Sequence, residues 1–111
     1  MFLSMMMFLY SAGGVVIGNK VTLSKGVYIL TEGLDTLQYL ENTQKRYRDH
    51  IRKRVVIGDG TWIAAGVIVC PGVEIAANSI VAAGSVVLKS LTEEGVIYGG
   101  VPAKKIKEII L

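Results

Sequence analysis

The 111 residues hold one cysteine, one histidine and two prolines, and aromatic residues make up only 7% of the chain. A lone Cys70 rules out an internal disulfide, which fits a reducing cytoplasm, and the chain is read as cytoplasmic. A lone His50 cannot build a three-histidine zinc site of the kind a γ-class carbonic anhydrase needs, and no metal is expected. Hydrophobic residues reach 51% and mean hydropathy is +0.49. Even so, no uninterrupted apolar stretch approaches the roughly 18 residues of a spanning helix, so no membrane span is expected. The net charge of +3 comes without an aromatic platform or a binding motif, which argues against a nucleic-acid partner. The opening Met1-Phe2-Leu3-Ser4-Met5-Met6-Met7-Phe8-Leu9-Tyr10 has the apolarity of a secretion signal but lacks a basic start. It is read instead as a first strand and coil edge.

What the chain does have is a period. Ile57, Ile63, Val69, Ile75, Val81 and Val87 fall six apart, and four positions after each stands Thr61, Val67, Val73, Ser79, Ser85 or Leu91. One place before that second row come Gly60, Gly66, Gly72, Asn78 and Gly84. Six is neither the 3.6 of a helix nor the 2 of a single strand, so one small unit is stacked on copies of itself. The two aliphatic rows point inward, and the residue between them must turn through the left-handed backbone region, which Gly enters freely and Asn tolerates. Three such hexads close a triangular coil, and coils stack through parallel ladders. The predicted fold is all-β: a left-handed parallel β-helix, an exception to the usual crossover hand. Flat rows of Thr, which an ice-binding prism would show, are missing.

An earlier register is visible at Ile17, Leu23 and Ile29, with Val15, Val21 and Val27 as partners; Gly14 and Gly26 take the turn, and Lys20 stands where Gly or Asn is expected. From Ile29 to Ile57 is 28 positions, which six does not divide, so an inserted loop leaves the solenoid at about 32–54. It carries Lys45, Arg46, Arg48, Arg52, Lys53 and Arg54 against Glu41 and Asp49, with a short helix at 36–48 as one reading. The basic run is either a solvated loop or an attractor for an anionic ligand. A C-terminal extension, about 92–111, passes through Gly99-Gly100-Val101-Pro102-Ala103 into a short helix or strand. The whole of 1–111 is one β-helix domain.

Three stretches carry a resemblance. Ile57-Gly58-Asp59-Gly60-Thr61-Trp62-Ile63, Val81-Ala82-Ala83-Gly84-Ser85-Val86-Val87 and Gly100-Val101-Pro102-Ala103-Lys104 resemble, in order, the I-G-x-x-x-W-I, I-G-A-G-S-V-V and G-[NV]-P-A-[KR] motifs of the hexapeptide-repeat acyltransferases. The branch is that of the galactoside/maltose and polysaccharide O-acetyltransferases, and the likeness spans about residues 11–110. It implies a homotrimer with active sites in grooves between prisms, and acetyl-CoA as co-substrate for transfer to a saccharide hydroxyl or an amino group. By this resemblance Ala65 contacts the pantetheine arm, and Ala83 is the small residue whose backbone hydrogen-bonds it. Lys104 and Lys107 lie near the nucleotide phosphates, where point charges suit phosphate, unless they are only solubilising charge. Trp62 flanks the acetyl end of the groove, or serves as packing surface on a coil face.

The resemblance breaks at one place. The family's I-L-T-x-G-H-D reads here Ile29-Leu30-Thr31-Glu32-Gly33-Leu34-Asp35, with Leu34 in place of the general-base histidine. Leucine takes no proton, and general-base assistance is typically worth 10²–10⁴ in rate. Three readings follow: His50 substitutes from the inserted loop, or Glu32 or Asp35 acts as base, or the chain is a catalytically impaired trimeric homologue that keeps its CoA groove or serves as a scaffold.

Overall fold

The structure is a computed structural model describing residues 14–37, 39–41 and 49–110, together with the backbone of the strands Phe2–Leu3 and Phe8–Tyr10. The repeat forms three stacks of short parallel strands. The first stacks Val15–Ile17, Val55–Ile57 and Glu74–Ile75, which Leu91 extends by a bridge to Ile75. The second runs through Phe2–Leu3, Thr22–Leu23, Trp62–Ile63, Ile80–Val81 and Val96–Gly99. The third contains Phe8–Tyr10, Tyr28–Leu30, Ile68–Val69 and Val86–Val87. Consecutive strands go to successive faces, and each face is met again after three hexads: Ile57 lies on Ile75, Ile63 on Val81 and Val69 on Val87. The opening strands extend two of these faces, in keeping with the coil-edge reading.

Both inward rows are buried without exception, from Ile57 and Thr61 to Val87 and Leu91. Each fully buried Ile or Val contributes about 1.5–3 kcal/mol. The polar members of the second row stay inside because their hydroxyls have partners. Thr61 and Ser79 both donate to the Ala76 carbonyl, at 3.1 and 2.7 Å, and Ser85 donates to that of Ala82 at 2.6 Å. A buried hydroxyl without such a partner would cost about 1–3 kcal/mol.

The turn residues adopt the predicted left-handed backbone, with φ of 70° at Gly60, 82° at Gly72, 55° at Asn78 and 73° at Gly84. Lys20 is forced into the same conformation at φ 57°. The corners at Gly60, Gly66, Asn78 and Gly84 are tied to the neighbouring coil by backbone hydrogen bonds, as from Gly60 N to Asn19 O at 2.8 Å and from Asn78 N to Asp59 O at 2.7 Å. Gly58 sits where coils come closest: a Cβ there would lie 2.5 Å from the Ala77 nitrogen and 2.9 Å from the Ile75 carbonyl oxygen.

The insertion is a hairpin. Glu32–Leu34 pairs antiparallel with His50–Arg52, and Lys53 N donates to Thr31 O at 2.8 Å to close its base. The solenoid then resumes as though uninterrupted, Val15–Ile17 lying directly on Val55–Ile57. The helix read at 36–48 is not found in residues 36, 37 and 39–41; the rest of that stretch lies outside the described residues. Asp35 Oδ1 accepts the Leu37 N–H at 2.9 Å and Thr36 O accepts that of Tyr39 at 3.2 Å, so the chain leaves the strand Glu32–Leu34 in a local turn. Of the two C-terminal options, the strand holds: Lys104–Glu108 runs antiparallel along the open edge of Val96–Gly99. That edge offers unpaired backbone groups, which an antiparallel strand satisfies and a helix would not.

The left-handed corner at Lys20 and the close approach at Gly58 predict opposite effects for two substitutions. Lys20→Gly relieves a left-handed side-chain conformation and should raise stability by about 0.5–1 kcal/mol after glycine's entropic cost. Gly58→Ala should lower it by about 1–3 kcal/mol, because backbone atoms must move apart. Urea unfolding midpoints of the two variants measure both.

Candidate functional site

The residues singled out above gather in two places, on different corners of the prism. The first is the hairpin, which leaves the third face after Tyr28–Leu30 and re-enters at the first face with Val55–Ile57. Within it Leu34 pairs directly with His50 and Glu32 with Arg52, so the alternation of a strand puts all four side chains on one surface. His50 Nδ1 lies 3.0 Å from Glu32 Oε1, and Arg52 Nε lies 3.7 Å from Glu32 Oε2. The Glu32 side chain is 14% exposed and that of His50 58%, so the carboxylate is the fixed partner and the imidazole the accessible one. Glu32, Gly33, Leu34 and His50 together line a shallow depression. Gly33 faces the body of the prism, where a Cβ would lie 3.8 Å from the Pro71 Cγ.

Asp35, the other carboxylate considered as a base, faces elsewhere in its chemistry: its Oδ1 is occupied by the Leu37 N–H. Sequence reasoning treated Glu32 as a base in its own right and missed it as the partner of His50. The two-residue spacing of Glu32 and Leu34 carried half of that signal. The other half, the register with His50, exists only once the hairpin is paired.

The second place is the corner between the second and third faces. Ala65 follows Trp62–Ile63, and Ala83 follows Ile80–Val81 one coil further on. Both alanines are exposed, and the Gly84 N–H donates to the Ala65 carbonyl at 2.9 Å, which fixes one above the other. Trp62, 45% exposed, points outward from the second face and donates its indole N–H to Ser24 Oγ at 3.0 Å. That hydrogen bond, which periodicity could not reveal, sets the ring's orientation. Lys104 and Lys107 are exposed on the final strand, opposite Gly99 and Ile97. Lys104 also lines a cleft with Leu88, Lys89, Pro102 and Ala103. The chain thus brings together Leu34, His50 and Glu32, and separately stacks Ala65 on Ala83. The third face lies between the two groups.

Comparison with known proteins bears on the family and the fold. The bacterial transferase hexapeptide family (six repeats) matches residues 54–89. The galactoside O-acetyltransferase of Lactococcus lactis is 36% identical over 86 residues, covering 77% of this chain and 39% of that protein. A galactoside acetyltransferase solved in complex with coenzyme A superposes with a TM-score of 0.80 at 30% identity, over 94% of this chain and 50% of that one. An N-acyltransferase from Bacillus cereus, solved with dTDP-4-amino-4,6-dideoxyglucose and coenzyme A, superposes with a TM-score of 0.79 at 25% identity, over 96% of this chain and 59% of that one. The chain belongs to the hexapeptide-repeat transferase family, and its fold is the left-handed parallel β-helix of that family. It spans less than half the length of the first curated relatives it matches. Among the described residues no helix is long and apolar enough to cross a membrane.

Cys70, at a coil corner after Val69, packs against the core, and burial pushes its thiol pKa up. A raised pKa means less thiolate at any given pH and a weaker nucleophile. Iodoacetamide at pH 8 should therefore label Cys70 several-fold more slowly than it labels free cysteine, as followed by intact-mass spectrometry.

Proposed function

We propose that this chain transfers an acetyl group from acetyl-CoA to a saccharide hydroxyl or amino group, acting as a cytoplasmic homotrimer. The observation that carries the reading is the stacked pair Ala65 and Ala83, exposed one coil apart beside the outward Trp62. Small side chains on successive coils leave a shallow track in which an extended arm lies against backbone groups. The basic strand that follows supplies Lys104 and Lys107 toward the nucleotide phosphates. The relatives support the same substrates: one is solved with coenzyme A and another with coenzyme A and an amino sugar nucleotide.

The trimer is supported by the position of the two groups. Hairpin and alanine track lie on different corners of one prism, so they converge only where the hairpin corner of one copy meets the alanine corner of the next. A head-to-tail contact of this kind closes into a ring under threefold symmetry. A second reading, a CoA-binding trimeric scaffold without turnover, is favoured by Leu34 at the position of the expected base.

Millimolar CoA should raise the melting temperature, since a ligand bound only by the folded state must stabilise it. Ala83→Trp should fill the track and abolish both that shift and heat-detected CoA binding while the protein stays folded. Sedimentation equilibrium should report about 36 kDa, three times the 12.0 kDa chain. A protein that neither binds nor turns over acetyl-CoA at millimolar concentration refutes the acetyl-transfer reading. CoA binding without turnover supports the scaffold.

A further inference from the structure

We propose that the general base has moved across the hairpin: His50, held by Glu32, does the work that Leu34 cannot. The inference rests on the acetyl-transfer reading above. Leu34 and His50 are direct partners in the antiparallel pair. Side chains so placed stand on the same surface with Cβ atoms only about 4.5–5.5 Å apart. An imidazole lost from one strand and gained at the opposite position stays on the same surface of the same element, within reach of the same point in space.

Three observations separate His50 from an ordinary surface histidine. First, its Nδ1 is 3.0 Å from Glu32 Oε1, and that carboxylate is mostly buried and braced on its other oxygen by Arg52 at 3.7 Å. A carboxylate at Nδ1 holds the ring and keeps the proton on that nitrogen, which leaves the Nε2 lone pair free to accept. Second, the ring is 58% exposed, so Nε2 is open to a ligand. Third, it lines a depression with Leu34, itself 41% exposed, whose isobutyl group supplies an apolar wall beside the imidazole. Both carboxylates considered as bases already have partners: Asp35 Oδ1 accepts the Leu37 N–H, and Glu32 faces His50 and Arg52.

The step balances with the proposed substrates alone. His50 Nε2 takes the proton of the acceptor hydroxyl as its oxygen bonds to the thioester carbonyl carbon of acetyl-CoA. The tetrahedral intermediate collapses with cleavage of the carbon–sulfur bond, and the imidazolium returns the proton to the departing thiolate. The products are the acetyl ester and free CoA thiol. Glu32 touches no reacting atom and acts as a positioning residue.

CoA release from acetyl-CoA, followed by thiol detection with methyl β-galactoside, maltose and water as acceptors, tests this on the 111-residue chain. His50→Gln should lower kcat by about 10²–10⁴ with KM for acetyl-CoA and the melting temperature unchanged. Glu32→Gln should lower kcat by a smaller factor, and the double variant should be no worse than His50→Gln alone, because a positioning residue has nothing left to position. Leu34→His placed in the His50→Gln background should restore turnover, returning the base to the opposite strand. If the natural protein turns over and His50→Gln does so equally well, the relocated base is overturned while acetyl transfer stands. If the natural protein binds CoA but releases none with any acceptor, acetyl transfer and the relocated base fall together.

Discussion

Each hexad of this chain must change direction by the angle of a triangle without interrupting the ladder that joins it to the coil beneath. The left-handed corner does this, and nearly everything else in the molecule follows from it. With φ near +70° at Gly60, Gly66 and Gly84, the strands before and after the corner lie on different faces. The corner N–H still reaches a carbonyl in the next coil, as from Gly66 to Lys25 and from Gly84 to Ala65. An L side chain in that conformation carries a penalty of about 1–2 kcal/mol. Among the described residues with this left-handed backbone, only Lys20 and Asn78 lack a glycine's freedom. Because every coil repeats the same turn, the aliphatic rows fall on one another and the core is a column of Ile, Val and Leu.

The same rule explains how the chain tolerates an interruption. A solenoid coil contacts mainly its neighbours, so a segment that leaves and returns at one corner need only bring its ends together. The bond from Lys53 N to Thr31 O does so. Val55–Ile57 then settles on Val15–Ile17 in the register it would have had without the excursion. The hairpin is therefore free to vary without loss of the fold, and loops positioned by a rigid scaffold are where function concentrates.

This division also accounts for what was legible in the residues alone. The period of six exposes the inward rows, the corners and the break at Ile29, because each is a consequence of local spacing. Lys20 shows how strong the constraint is: a residue with no liking for the left-handed region adopts it because its neighbours Val21 and Leu23 must point inward. Features that depend on pairing were not legible. The extension could be read as helix or strand because its direction is decided by the open edge of Val96–Gly99, not by its own pattern. The charged run at 36–48 suggested a helix because its polarity says nothing of the turn that Thr36 and Tyr39 make. Ser24 as anchor of the Trp62 indole, and Glu32 as partner of His50, join residues 38 and 18 positions apart, beyond any local window.

A histidine missing from a motif reads in sequence as loss of function, because a motif is one-dimensional. In a paired hairpin each position has a counterpart on the opposite strand that presents a side chain to the same surface. Leu34 and His50 are such counterparts, and Glu32, two residues before Leu34, reaches the imidazole from the side. A base depends on where its nitrogen lies and on what holds the other nitrogen, not on which strand bears it. Antiparallel pairing therefore gives this fold two sequence positions for one place on the hairpin surface, while the parallel coils, whose rows are locked by the corners, allow no such exchange. In a protein of this architecture the hairpin is where a side chain can change its address and leave the prism untouched.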